Sequence, residues 1–117
     1  MKNNTETLVH LFHIVLVSGL FFYVGVTRDH MPPFMYPVLL GLGLFVGAYH
    51  LFKAFMKKDA WVNYIHIFFV APLLVFIGVC KDKTPRKYFE VLLMFAFASL
   101  GYHGYYLVDS FFSGDKE

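Results

Sequence analysis

The histidines are the residues of this chain that could do chemistry. Six are present, and four of them fall within long apolar runs: His13, His50, His66 and His103. Imidazole binds and releases protons near neutral pH, and it is the commonest side-chain ligand of transition metals. Because an ionisable side chain is costly to place in a membrane-spanning segment, each of the four is a candidate for function.

The apolar runs predict four helices, at about residues 8–26, 34–56, 60–79 and 88–108. Each run is close to the ~20 residues that an α-helix needs to cross ~30 Å of hydrocarbon. The composition agrees, since 58% of the 117 residues are hydrophobic and only 15% are charged. Short polar turns, one of them at Lys57–Asp59, make neighbouring helices antiparallel. We therefore predict an all-α, integral membrane four-helix bundle of up-down-up-down topology, a single multi-pass transmembrane domain over residues 1–117.

Composition also bounds the partners of the chain. The net charge is only +2, with the basic residues in short clusters, which argues against nucleic acid. The expected partner is the lipid bilayer, and a homo-oligomer is left open. Cys80 is the single cysteine, so an internal disulfide is excluded. Basic residues divide equally between the two predicted sides, so no orientation is predicted. No phosphate-binding loop or Ser–His–Asp arrangement is found in the sequence, so no enzyme class is indicated.

The two halves of the chain match when the sequence is compared with itself at an offset of 53. Repeat 1 covers about residues 8–56 and repeat 2 about residues 60–109. The matches include residue types that chance similarity between apolar segments does not easily reproduce: His13/His66, His50/His103, Gly25/Gly78, Asp29/Asp82, Pro32/Pro85 and Tyr49/Tyr102. Each half holds two spans, so duplication of a helical hairpin predicts a pseudo-two-fold axis along the membrane normal.

The repeat predicts a common depth for the four histidines. Each lies about five or six residues from a helix end on one side of the bundle, or about 8–9 Å at 1.5 Å per residue. His50 shares a helical stripe with Gly43 and Gly47, and His103 shares one with Ser99. Small residues mark helix–helix contacts in membranes, so we expect His50 and His103 to point into the bundle.

A one-level histidine cluster suggests a metal ion or a haem as cofactor. Four imidazoles could ligate zinc, copper or iron, or three could do so and leave a position open: His13, His50, His66 and His103. A b-type haem would take His50 and His103 as axial ligands, with Gly47 and Gly101 leaving room for the porphyrin. Electron transfer or metal movement would then be the function.

Two other functions fit the same residues. Imidazoles at one level could relay protons or other ions in a pH-responsive channel. Alternatively, the protein has a structural or assembly role without a cofactor, and the histidines only form hydrogen bonds. His10 matches Asn63 in the repeat and is interpreted either as a residue that supports the histidine cluster or as an interfacial residue, while His30 lies in a turn and is expected to be solvated.

Four stretches of the sequence carry a resemblance: LVHLFHIV, YPVLLGLG, GAYH and GYHGYYLV. With them the chain looks like short, uncharacterised four-span membrane proteins found in large DNA viruses of algae. The resemblance extends over most of the chain in general style. It implies a viral membrane protein and carries no activity.

The cofactor hypothesis predicts that detergent-purified protein contains near-stoichiometric zinc, copper or iron, or shows a haem Soret band. The paired substitution His50→Ala with His103→Ala removes ligands in either case, so the signal is lost. An optical spectrum with elemental analysis measures both. A colourless, metal-free sample that stays empty after reconstitution with haem and metals would contradict the hypothesis.

Overall fold

The computed structural model describes residues 4–56 and 60–113, which form helices joined by short turns. The α-helices are α1 (Asn4–Phe12), α2 (Ser18–Thr27), α3 (Met35–Phe55), α4 (Ala60–Ile65), α5 (Ala71–Cys80) and α6 (Arg86–Ser113). A π-helical turn at His13–Val17 connects α1 to α2, and another at His66–Val70 connects α4 to α5. The predicted turn at Lys57–Asp59 lies outside the described residues.

The all-α class is confirmed, and four stretches are long and apolar enough to cross a membrane: Thr5–His30, Met35–Phe55, Trp61–Lys83 and Arg86–Phe112. The helices extend beyond the predicted bounds near the chain ends, since α1 begins at Asn4 and α6 ends at Ser113. The predicted bounds followed apolar character. A helix continues past its apolar part for as long as its backbone hydrogen bonds are made.

The two π turns lie 53 residues apart, and each begins at one of the candidate histidines, His13 or His66. In a π turn each backbone N–H bonds to the carbonyl five residues earlier instead of four, which widens the helix locally. Such turns within α-helices occur frequently at functional sites. The apolar pattern of the sequence did not predict them, because one shifted hydrogen bond leaves no compositional signal.

The contacts divide the chain into two compact units. Of the described residues, 4–26 and 89–113 form one unit, here called the terminal pair, and 27–56 and 60–88 form the other, here called the central pair. The first helical span therefore packs with the last, and the second packs with the third. The prediction of a single domain is not tested by this division.

The helices of each pair run antiparallel. In the terminal pair His13 stacks on His103, and Phe22 contacts Phe97 with ring centroids 4.7 Å apart. As residue numbers increase along the first helical span, the numbers of the residues that they contact in α6 decrease. In the central pair α3 meets the helix formed by α4 and α5 in the same manner, since His50 stacks on His66 and Leu40 approaches Gly78.

Glycines allow the helices of each pair to approach closely. A methyl group added at Gly78 would lie 2.8 Å from the backbone nitrogen of Leu40, and one added at Gly25 would lie 2.5 Å from Cγ of Leu93. Gly25 and Gly78 are 53 residues apart, as are Leu40 and Leu93. Both pairs therefore use the same glycine–leucine contact, a common means of bringing apolar helices together.

The turns after α2 and α5 contain a second equivalent feature. Arg28 and Lys81 have positive φ angles of 53° and 56°. This backbone region is unfavourable for residues with a side chain, at roughly 1–3 kcal/mol each. The turns are closed by hydrogen bonds: Met31 donates its N–H to the Arg28 carbonyl at 3.3 Å, and the Thr84 hydroxyl donates to the Lys81 carbonyl at 2.7 Å. These bonds partly offset the strain.

The close contact at Gly78 predicts that Gly78→Ala lowers the free energy of unfolding by about 1–3 kcal/mol, because the new methyl group collides with the backbone of α3. Gly41→Ala is the matched control, since an added methyl group there has no atom within 4 Å. We expect the control to be neutral or stabilising by up to about 1 kcal/mol. Denaturant unfolding in detergent, followed by circular dichroism, measures both. Equal stability of the two variants would show that α3 and α5 are not held at this distance.

Candidate functional site: two imidazole stacks

The central pair contains a stack of two histidine rings. His50 lies in α3 and His66 begins the π turn between α4 and α5; their ring centroids are 4.0 Å apart and their planes differ by 16°. His50 is only 9% exposed. The two rings therefore lie face to face.

The terminal pair contains an equivalent stack. His13 begins the first π turn and His103 lies in α6, with ring centroids 4.2 Å apart and planes that differ by 23°. His103 is also 9% exposed. The four histidines predicted from the sequence thus form two stacks of two rings, one stack in each helix pair.

The π-turn histidines are held by their own helices. The Nδ1–H of His13 donates to the carbonyl of Val9 at 2.8 Å, and the Nδ1–H of His66 donates to the carbonyl of Val62 at 2.8 Å. A carbonyl oxygen can only accept, so the ring proton of each neutral histidine sits on Nδ1 and Nε2 is its basic atom. Each of these side-chain bonds runs back to the carbonyl one turn earlier, at the point where a π turn begins.

The partner histidines are held from across the pair. The Nδ1–H of His50 donates to Oδ1 of Asn63 at 2.8 Å, and Asn63 is fully buried. At the equivalent place in the terminal pair, Nδ1 of His103 lies 2.8 Å from Nδ1 of His10. The site therefore has six members, three in each helix pair: His10, His13 and His103, and Asn63, His66 and His50.

Tyrosines border both stacks. The rings of Tyr49 and His50 make an edge-to-face contact with centroids 5.2 Å apart, and those of Tyr102 and His103 make the same kind of contact at 5.0 Å. In the terminal pair Tyr106 also stacks on His10, with centroids 5.9 Å apart and planes 12° apart. Aromatic contacts of these kinds hold the imidazole planes in place.

The ring geometry does not favour a shared metal ion. The lone pair of an imidazole nitrogen points outward in the ring plane, so two nearly parallel stacked rings direct their lone pairs side by side rather than at one point. Tetrahedral or axial ligation requires nitrogens that converge on the metal. Across residues 4–56 and 60–113, no group of three or more His, Cys, Asp or Glu residues is placed to hold a metal ion.

The two glycines predicted to make room for a haem have other surroundings. The Cβ position of Gly47 lies 3.3 Å from Cβ of Ala71, so Gly47 serves the packing of α3 against α5. Gly101 is exposed, and its Cβ position has no atom within 4 Å. His50 and His103 each present a ring face to the histidine of their own pair. Haem binding stays a prediction without support from this arrangement.

Buried hydroxyl groups lie deeper along the helices. The hydroxyl oxygens of Ser18, Tyr36 and Ser99 are buried and have no hydrogen-bond partner among the described residues. Ser99 precedes His103 by one helical turn, and Ser18 follows His13 by five residues. Buried polar groups are nearly always satisfied, often by ordered water. These three hydroxyls therefore have hydrogen-bonding capacity that the described side chains do not use.

Sequence reasoning does not include His10 and Asn63 among the predicted site residues. Because the repeat partner of His10 is not a histidine, the sequence predicts only a supporting or an interfacial role for it. One feature of the sequence could have indicated them. His10 and Asn63 are polar, occupy equivalent positions of the repeat in largely apolar helices, and each precedes a repeated histidine by three residues. His30 is exposed in its turn, 3.5 Å from the Asp29 carboxylate, and belongs to neither stack.

Comparison with protein families, curated proteins and solved structures gave no match. The resemblance to four-span proteins of algal viruses therefore stays a prediction. The function of the chain has to be argued from its own geometry.

The His50–Asn63 hydrogen bond predicts an energetic coupling between the two side chains. We expect a double-mutant cycle with His50→Phe and Asn63→Ala to give about 0.6–2 kcal/mol, the range measured for hydrogen bonds between membrane helices. Unfolding in detergent measures it. Phe68→Ala combined with His50→Phe is the control, because Phe68 is 66% exposed, and it should give no coupling. A coupling near zero for the His50–Asn63 cycle would contradict the hydrogen bond.

Proposed function

We propose that this chain is a multi-pass membrane protein that binds protons at its paired histidines and passes them along its helices. The observation that carries the proposal is the repeated stack. In both helix pairs a π-turn histidine is fixed through Nδ1 and lies face to face with a second buried histidine, at 4.0 Å and 4.2 Å between centroids.

The stacked arrangement suits a proton better than a metal ion. A proton needs one lone pair, whereas a metal ion needs several that converge. Two positive charges about 4 Å apart repel by about 4 kcal/mol at the effective dielectric of a partly buried site. Each stack therefore takes up one proton far more readily than two.

The terminal pair has two further polar groups, both serine hydroxyls, that lie along the helices beyond the histidines. The unpartnered hydroxyls of Ser99 and Ser18 lie further along the helices from His103 and His13, toward the turns that follow α2 and precede α6. A hydroxyl both donates and accepts, and water held at such a group can carry a proton onward. This supports conduction in addition to proton binding.

The architecture proposed here is a bundle of two duplicated helical hairpins inserted in an up-down-up-down manner. Support comes from contacts that recur at an offset of 53: the histidine stacks, the π turns, the glycine–leucine contacts and the positive-φ turns. Four helices of sufficient length and apolar character support membrane insertion. Duplication accounts for the recurrence because equivalent residues of the two copies meet across the repeats in the same way, the first span with the last and the third with the second.

Proton flux into liposomes tests the function. Protein reconstituted with an internal pH-sensitive dye should acidify the vesicles when a potential is imposed with potassium and valinomycin. We expect His50→Gln with His103→Gln to lower this flux by about a hundredfold, at the low end of what positioned proton-transfer groups contribute. His30→Gln is the matched control, because it removes an exposed histidine outside the stacks, and it should leave the flux unchanged.

The outcome also separates the proposal from a purely structural role. Vesicles that stay tight to protons with folded wild-type protein, at every pH between 5 and 8, would overturn conduction. In that case the double glutamine variant would change only the stability of the protein in detergent.

A further inference from the structure

The two helix pairs differ at one position of the site. Where the central pair has Asn63 bonded to His50, the terminal pair has His10 bonded to His103, both at 2.8 Å. The backbone, the stacked ring and the π turn are otherwise equivalent. Asn63 presents an amide oxygen to His50, whereas His10 presents to His103 a ring nitrogen that can gain or lose a proton. The two helix pairs therefore differ in how they can bind protons.

The amide of Asn63 fixes His50 in one arrangement. Its Oδ1 can only accept, so the proton on Nδ1 of His50 stays in place whether the ring is neutral or cationic. Protonation of His50 at Nε2 leaves this hydrogen bond intact. Asn63 itself does not titrate.

The contact between His10 and His103 follows a different rule. Two Nδ1 atoms 2.8 Å apart form a hydrogen bond only if one carries a proton and the other presents its lone pair. The neutral pair meets this condition, and so does the pair with one added proton, in which a charged donor strengthens the bond. With two added protons, two N–H groups would face each other and the bond is lost.

We propose that His10 and His103 form a binding site for a single proton, shared between their Nδ1 atoms. The proton enters at Nε2 of the ring that donates, which becomes an imidazolium. The hydrogen between the Nδ1 atoms then crosses to the second ring, which becomes the cation, and the first ring is left neutral with its proton on Nε2. No atom other than this hydrogen moves between the rings, so charge passes from half-buried His10 to buried His103.

Aromatic rings border the His10–His103 contact within the terminal pair. From the first helical span His13 stacks on His103, and from α6 Tyr106 stacks on His10 while Tyr102 and His103 make an edge-to-face contact. The acidic residues nearest in sequence are Glu6, one turn before His10 and so on the same face of that helix, and Asp109, three residues after Tyr106. The stacked His13 adds repulsion against a second charge, which reinforces the limit of one proton.

Nuclear magnetic resonance of ¹⁵N-histidine protein in lipid nanodiscs tests the shared proton. We expect a strongly deshielded Nδ1–H signal and a scalar coupling between the Nδ1 nuclei of His10 and His103. The coupling should persist across the pH range of the flux measurement, whereas His30, exposed and outside the site, should show none. The absence of a coupling between His10 and His103 throughout that pH range would overturn the proposal.

Exchanging the two polar residues gives matched variants. His10→Asn makes the terminal pair resemble the central pair, so the coupling should vanish while His103 retains a bonded Nδ1–H. Asn63→His makes the central pair resemble the terminal pair, so a second coupling should appear, between the new residue and His50. If Asn63→His does not fold, His10→Asn still decides, and a coupling that survives in it would contradict the assignment.

This inference rests on the proposed function, because it names the proton-binding atoms of the same site, but the two can fail separately. Proteoliposomes without proton flux, together with a His10–His103 coupling, would overturn conduction and keep the shared-proton site. Flux that persists undiminished in His10→Asn, without any coupling in the wild type, would overturn the shared-proton site and keep conduction.

Discussion

A buried imidazole must satisfy its ring nitrogens, because a polar group left unpaired away from water costs about 1–3 kcal/mol. Much of the site follows from this constraint. His13 and His66 meet it at Nδ1 with a carbonyl of their own helix, and a π turn begins at each of them. Their rings then lie on the faces of His103 and His50, which are bonded through Nδ1 to a residue across the pair. The requirement for hydrogen bonds thus positions every ring before any ligand is considered.

Ring contacts near 4 Å also require that the helices lie close together, and the glycines provide this. Gly25 and Gly78 sit where a side chain would collide with the opposite helix, and Gly43 would place a methyl group 3.0 Å from the backbone nitrogen of Val75. Between apolar helices in a bilayer, association depends on such van der Waals contact, since lipid is as apolar as the side chains it would replace. The glycine contacts and the histidine stacks are therefore parts of one packing arrangement.

The two helix pairs are nearly equivalent around their histidine stacks. The presence of Asn63 in one pair and His10 in the other is therefore informative. Asn63 and His10 occupy the same place and make a hydrogen bond of the same length, yet one bond is indifferent to protonation and the other tolerates only one added proton. A protein that passes protons benefits from such a division, because a site that always holds its hydrogen bond preserves the fold while the other exchanges its proton. The two places differ in this way by one residue, Asn63 in the central pair and His10 in the terminal pair.

The sequence by itself determined the four apolar helices, the correspondence of positions 53 apart and the four candidate histidines, because composition and spacing are local properties. The tertiary structure alone decided that the first span pairs with the last, that the rings stack face to face, and that His10 and Asn63 join the site. The physical reason is that a ring's orientation depends on side-chain torsions and on distances of a few tenths of an ångström. Those are set by helices that are remote in sequence, and no periodicity within one helix records them.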